Sequence, residues 1–164
     1  MSGGHKIADE TRKFIAGHLR QYLESGGTEG HAVDLAATRP GNLGLNCLIR
    51  FKGRKSGKTY VTPLSYGILS GEVLIVGSKG GADEHPSWFL NLIASPEVDF
   101  QIATQAYRAT WRQLEGDEYD EAWDYMVKTY PFYATYKTRT SRKIPVVSMQ
   151  PVEEIPVFRP EDLD

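Results

Sequence analysis

Hydrophobic and polar positions along the chain change period several times, and each change predicts an element. Residues 6–25 place Ile15, Leu19, Tyr22 and Leu23 on one face with Lys13, Arg20 and Glu24 elsewhere, and Gly26-Gly27 follows, so an amphipathic helix is expected there. Residues 28–44, rich in Gly, Thr, Asn and Pro, read as a connection with a short strand near Ala32–Leu35. Leu45–Lys52 and Tyr60–Leu69 are strand-like on either side of the turn Gly53–Lys58, and Ser70-Gly71 closes a hairpin onto Glu72–Ser78. The run Val73-Leu-Ile-Val76 has no polar face and predicts burial on both sides. Pro86 opens a short helix with Phe89, Leu92 and Ile93 turned to the core, and Ser95-Pro96 ends it. Val98–Ala103 and Ala106–Leu114 form a further hairpin, Asp117–Tyr130 a helix with carboxylates in its first turn, and Ile144–Met149 a last strand, with a short helix after Pro131. About six antiparallel strands with flanking helices and no βαβ alternation predict an α+β barrel.

Composition narrows the class. At 164 residues, 40% of them apolar, the chain suits one domain, divided here into 1–44 (helix and connection), a core over 45–152 and an acidic tail over 153–164. No segment reaches the ~20 apolar residues of a membrane helix, and Met1-Ser-Gly-Gly-His5 has no secretory apolar run, so a cytoplasmic protein without integral membrane contact is expected. The lone Cys47 and the scattered His5, His18, His31 and His85 predict neither a disulfide nor a metal. The net charge of −2 conceals an acid-free stretch between Asp34 and Glu72 that holds Arg39, Arg50, Lys52, Arg54, Lys55 and Lys58. A local basic patch fits a small anionic ligand better than a nucleic acid.

Four constellations could carry chemistry. Gly53-Arg-Lys-Ser-Gly-Lys-Thr59 is not a phosphate loop, because Lys52 stands where the first glycine belongs and a strand follows; it is either a solvated hairpin tip or a basic turn aimed at phosphate or carboxylate. Gly77-Ser-Lys-Gly-Gly81 is either a plain loop or a place where a ligand reaches the backbone, with Ser78 and Lys79 as donors. Trp88 and Asn91 share a helix face, which packs as core or walls a ligand. Tyr130, Tyr133 and Tyr136 are spaced by threes and form an aromatic core or a cavity with three hydroxyl donors.

In this order the segments from about Leu45 to Val152 resemble the deazaflavin (coenzyme F420)-dependent nitroreductase and quinone reductase family of actinobacteria. The match is carried by Gly53-Arg-Lys-Ser-Gly-Lys58 with Thr62-Pro-Leu64, by Ser78-Lys-Gly-Gly81 with His85-Pro-Ser-Trp-Phe-Leu-Asn-Leu92, and by Tyr130-Pro-x-Tyr133-x-x-Tyr136. The resemblance implies a split β-barrel like that of flavin mononucleotide-binding oxidases. It implies that Arg54, Lys55 and Lys58 hold the phosphate and glutamate tail of coenzyme F420. Thr62, Pro63, Leu64, Val76, Gly77, Ser78 and Lys79 would line the deazaflavin, with Trp88 and Asn91 at its edge. Tyr133, Tyr130 and Tyr136, with Ser78 in support, would serve the acceptor. Two departures stand out: Tyr60 occupies a position where many relatives have a base, and the segment before Leu45 is polar rather than apolar.

The implied activity is hydride transfer from reduced coenzyme F420 to a small electron-poor acceptor: a quinone, a conjugated enone or lactone, or a nitroaromatic. The alternatives are a flavin mononucleotide-dependent oxidase or reductase on the same fold and a non-catalytic deazaflavin-binding protein. The protein would be a monomer or homodimer.

Overall fold

The computed structural model describes residues 17–34, 43–95 and 97–163. Its elements are a helix α1, described over 17–24, then β1 (Ala32–Asp34), β2 (Leu43–Lys52), β3 (Thr59–Ser65), β4 (Gly67–Leu69), β5 (Glu72–Val76), α2 (Ser87–Ile93), β6 (Glu97–Ile102), β7 (Gln105–Gln113), α3 (Gly116–Thr129), α4 (Phe132–Lys137) and β8 (Val146–Ile155). Ile15, the part of the expected N-terminal helix before residue 17, Leu35, Arg39 and Pro96 lie outside the described residues.

All strand pairings are antiparallel, and the sheet runs β3-β2-β6-β7-β8-β5-β4, with β1 on the start of β2. Its two end strands are successive pieces of one chain segment, separated only by Tyr66. The sheet must therefore curl until its ends meet, which makes it the α+β split barrel expected. Eight strands are described rather than about six. One of the extra two is β1; the other arises because the Tyr60–Leu69 stretch breaks at Tyr66, whose N–H donates to Leu45 O at 3.2 Å.

Alternation sets the layers. Cys47, Ile49 and Phe51 of β2, Val73 and Ile75 of β5, Val98 and Phe100 of β6, and Val147 and Met149 of β8 fill the barrel, with Phe89 and Leu92 of α2 beneath them. The alternate residues Leu74 and Val76 pack outward under α3 and α4 against Trp123, Met126, Tyr130 and Tyr133. The Val73–Val76 run is thus buried on both faces, as its lack of polar positions requires. Tyr22 and Leu23 of α1 cover Leu48, Val61 and Ala106 on the remaining outer face.

Three expectations need correction. Ile93 is exposed rather than core-facing, because Leu92 takes the inward position at the end of so short a helix. The last strand starts at Val146, not Ile144, and continues past Pro151 to Ile155. A register irregularity sets Val152 aside between the pairs Arg108–Glu153 and Ala109–Pro151, so the proline sits where the ladder is already interrupted. The segment from 153, expected as an acidic tail, is part of the fold: Phe158 is fully buried, its N–H donates to Gln101 Oε1 at 2.7 Å, and Asp162 accepts from Arg50 at 3.0 Å.

Candidate functional site

The basic turn is rigid because its backbone bonds to itself. Gly53 N–H donates to Lys58 O and Gly57 N–H to Gly53 O, both at 2.9 Å, which closes the link between β2 and β3. Helix α2 then grips it from the side. The buried Asn91 carboxamide oxygen accepts from Arg54 N–H at 3.0 Å and from Arg54 Nη1 at 2.8 Å. Asn91 accordingly orients Arg54.

Between the turn and α2 lies a groove of about 560 Å³. Phe51, Val61 and Trp88 form its apolar wall, while Arg54, Lys55, Ser56 and Tyr60 rim it. Tyr60 stacks on Phe51 at 6.0 Å between ring centres and so contributes an aromatic surface. Thr62 and Ser87 complete the polar lining. The mixture suits a ligand with a flat ring and an anionic end.

The chain leads directly from β5 through residues 77–86 into the Ser87–Asn91 wall of this groove. Ser78 is right-handed helical (φ −79°, ψ −38°), Lys79 has φ +46°, and Gly80 has φ +64°. A right-handed residue followed by left-handed ones turns successive N–H groups to one side, a concavity suited to an anion. Gly81 must be glycine: its φ is +84°, and a Cβ there would stand 2.6 Å from Tyr136 O of α4. The Lys79 ammonium pairs with Glu84 at 2.7 Å and holds that carboxyl below its ordinary range.

Arg142, in the connection between α4 and β8, reaches the same turn. Its Nε donates to Ala82 O at 2.7 Å, Nη2 to Ser78 O at 2.8 Å, and Nη1 to Gly77 O at 3.2 Å and to His85 Nδ1 at 3.0 Å. A guanidinium only donates, so His85 Nδ1 is the acceptor and the imidazole is neutral. Burial, with the adjacent Arg142 charge, pushes the His85 pKa down, and burial also lowers that of Arg142.

Of the residues expected at the site, the groove gathers Arg54, Lys55, Thr62, Trp88 and Asn91. Lys58 is exposed on the same turn but does not line the groove, and Pro63 and Leu64 continue β3, with Leu64 packed on the barrel interior. Val76 points into the outer core, so it supports the Gly77–Lys79 turn from behind. Tyr130, Tyr133 and Tyr136 sit in that outer core with Trp123 and Phe132. Tyr130 donates to Tyr66 O at 2.7 Å and Leu45 O at 3.2 Å, across the seam where the barrel closes. Burial pushes its phenol up to about 12. Helix α4 abuts the 78–81 turn at Gly81, which places the tyrosine helix behind the second part of the site.

Arg142 escaped the sequence reading because a base in an irregular segment has no periodicity. The signal available was the density of bases over Lys137, Arg139, Arg142 and Lys143 in a stretch free of acids. Among the described residues, no group of three or more His, Cys, Asp or Glu side chains is arranged to hold a metal, and no helix is long and apolar enough to cross a membrane.

Residues 18–151 match the model of the F420H(2)-dependent quinone reductase family. The F420H(2)-dependent quinone reductase Rv1261c of Mycobacterium tuberculosis is 32% identical over 133 residues, 79% of this chain and 85% of that one. Among solved structures, an F420-H2 dependent reductase (FDR-A) is 40% identical with a TM-score of 0.60, covering 64% of this chain and 93% of its own. Another, described as a domain-swapped dimer, is 36% identical with a TM-score of 0.62 over 85% of this chain and 99% of its own. A match over this span settles the family: the chain belongs to the F420H(2)-dependent quinone reductases.

Proposed function

We propose that this protein reduces quinones with coenzyme F420 bound along the groove and the 77–80 turn. The observation that supports it most directly is the pairing of a cationic rim, Arg54 and Lys55, with an aromatic wall, Trp88 and Tyr60, in one groove that leads to a turn rich in backbone donors. The residues fit the group: an acidic tail needs the first and a ring needs the second. When bound in its reduced form, the deazaflavin supplies a hydride.

The chain's own contribution is orientation and charge. Arg54, held by Asn91, binds the tail together with Lys55 and with Lys58 further along the turn. Thr62 and Trp88 align the ring, with Pro63 and Leu64 setting the course of β3 beside it, and Gly77, Ser78 and Lys79 meet its polar edge. Ser78 donates to oxygen at the reacting end. A tyrosine of α4, Tyr133 in our reading, supplies a proton to the acceptor oxygen as it gains negative charge. Tyr136 shapes the acceptor pocket, and Tyr130 braces it, since its hydroxyl is already committed to two carbonyls. The acceptor is a quinone, in keeping with the family; enones and nitroaromatics share the same electron demand. A homodimer is the proposed assembly, and light scattering tests it.

Fluorescence-quenching titrations with coenzyme F420 and with flavin mononucleotide test the coenzyme, and oxidation of reduced coenzyme by menadione tests turnover. Tighter binding of flavin mononucleotide would replace this reading with a flavin-dependent one. Coenzyme binding without menadione reduction would leave a binding protein.

A further inference from the structure

We propose that Arg142 is a positioning residue that holds Ser78–Gly80 as a nest of backbone N–H groups for a negatively charged oxygen of the coenzyme. The inference rests on the coenzyme reading above and goes beyond it by assigning a role to a residue outside the groove. Lys79 is not glycine, yet its φ is +46°. Such a backbone is disfavoured for a residue with a side chain and persists only where its surroundings impose it.

Arg142 braces it, together with the turn's own bonds from Gly81 N–H to Ser78 O at 2.9 Å and from Ala82 N–H to Lys79 O at 3.2 Å, and with Arg139, whose Nη1 donates to Gly80 O at 3.2 Å. The carbonyls of Gly77, Ser78 and Ala82 all face one guanidinium, at 3.2, 2.8 and 2.7 Å. The rigid fork of donors fixes the three carbonyls relative to one another, which a flexible ammonium would not do. With the carbonyls gathered on the Arg142 side, the N–H groups of Ser78, Lys79 and Gly80 turn to the other. That arrangement stabilises an oxyanion without a mobile side chain. The Lys79 ammonium is already paired with Glu84, so the backbone is the stronger recognition element of the turn. Gly81 and α4 close the back of the nest, where Tyr136 O leaves no room for a Cβ.

The competing explanation is that Arg142 only ties the 138–145 segment to the barrel. Tyr119→Phe controls for this: it removes the 2.6 Å bond from Tyr119 to Ile144 O and loosens the same segment without touching the turn. The experiment measures melting temperature, coenzyme F420 affinity by fluorescence quenching, and menadione turnover for wild type, Arg142→Ala, Arg142→Gln and Tyr119→Phe. Both Arg142 variants are expected to raise the coenzyme Kd and KM by at least about tenfold, with kcat at saturating coenzyme within about twofold of wild type. Tyr119→Phe should melt earlier and bind normally. Where Arg142→Ala does not fold, Arg142→Gln decides. Repeating the titration with the tail-less deazaflavin ribityl compound locates the oxygen. A parallel loss assigns it to the ring, and a loss confined to the full coenzyme assigns it to the tail. Coenzyme affinity unchanged in every folded Arg142 variant overturns the inference alone, as does an equal loss of affinity in Tyr119→Phe. A wild-type protein that fails to bind coenzyme F420 overturns the functional reading itself.

Discussion

Tyr130 and Tyr133 look alike in the sequence, and substitution to phenylalanine tests a different role in each. The Tyr130 hydroxyl bridges Tyr66 O and Leu45 O at the barrel seam; Leu45 O keeps the Tyr66 N–H as a donor, so Tyr130→Phe strands the buried Tyr66 carbonyl. Its expected effect is a loss of about 1–3 kcal/mol of stability with turnover per folded molecule intact. Tyr133→Phe should do the opposite: melting and coenzyme affinity nearly constant, menadione turnover reduced. Thermal melts, titration and steady-state rates on the same preparations compare the two, and full activity in Tyr133→Phe would leave Ser78 as the donor. Ser148 gives a third residue-level test. Its hydroxyl is buried in β8 without a hydrogen-bond partner among the described residues. Ser148→Ala removes a desolvated group at little loss of volume, so the melting temperature should rise; a fall would mean that the hydroxyl has found a partner.

At the scale of elements, the turn after β5 carries a pH dependence. His85 accepts from Arg142 and its pKa lies below the usual histidine value, through burial first and the Arg142 charge second. The unfolded chain therefore binds this proton more readily than the folded one. Stability from this group is complete above the ordinary histidine pKa near 6.5 and is lost as pH falls below it, down to the depressed folded value. Melting temperatures from pH 7.5 to 5 should fall, and His85→Gln, which keeps an acceptor for Arg142, should flatten the slope; an unchanged slope assigns the dependence to other groups such as His31, whose pKa burial also lowers. Strands with a clean apolar face, such as β2, β5 and β6, were legible from their pattern, as were the basic turn and the Trp88–Asn91 face. Three things were not. The far half of β8 pairs through Glu153 and Glu154, whose exposed polar side chains carry no strand period. The break at Tyr66 follows from barrel closure, a property of the whole sheet. The grip of Arg142 on three carbonyls joins residues about sixty apart in an irregular segment, where local pattern is silent.

For the whole molecule, closure of the barrel leaves an outer face over Leu48, Val61 and Ala106 that both ends of the described chain cover. Tyr22 and Leu23 arrive from α1, and Phe158 from beyond β8. Phe158 is held there by more than its apolar area: its N–H bonds to the buried Gln101, and Arg50 lies over its ring at 4.3 Å. Arg50 also donates to Asp99 at 2.7 Å and to Asp162 at 3.0 Å, linking β2, β6 and the C-terminal segment through one guanidinium. Acidic composition alone suggested a solvated tail, whereas burial and pairing make the segment a structural strap. Phe158→Ala should therefore destabilise the protein by about 3–5 kcal/mol, the range for emptying a buried aromatic site. Asp162→Asn should do far less, because asparagine keeps a side-chain oxygen that accepts from Arg50 and from Arg159 N–H. Truncation after Ile155 removes ring and carboxylate together and should approximate the phenylalanine loss, with a small addition from the pair. Urea unfolding followed by circular dichroism measures all three, and the order of effects is the test. A truncated protein as stable as the full chain would return residues 156–164 to the status of a dispensable tail, while a loss in Asp162→Asn equal to that in Phe158→Ala would place the strength of the strap in its charges.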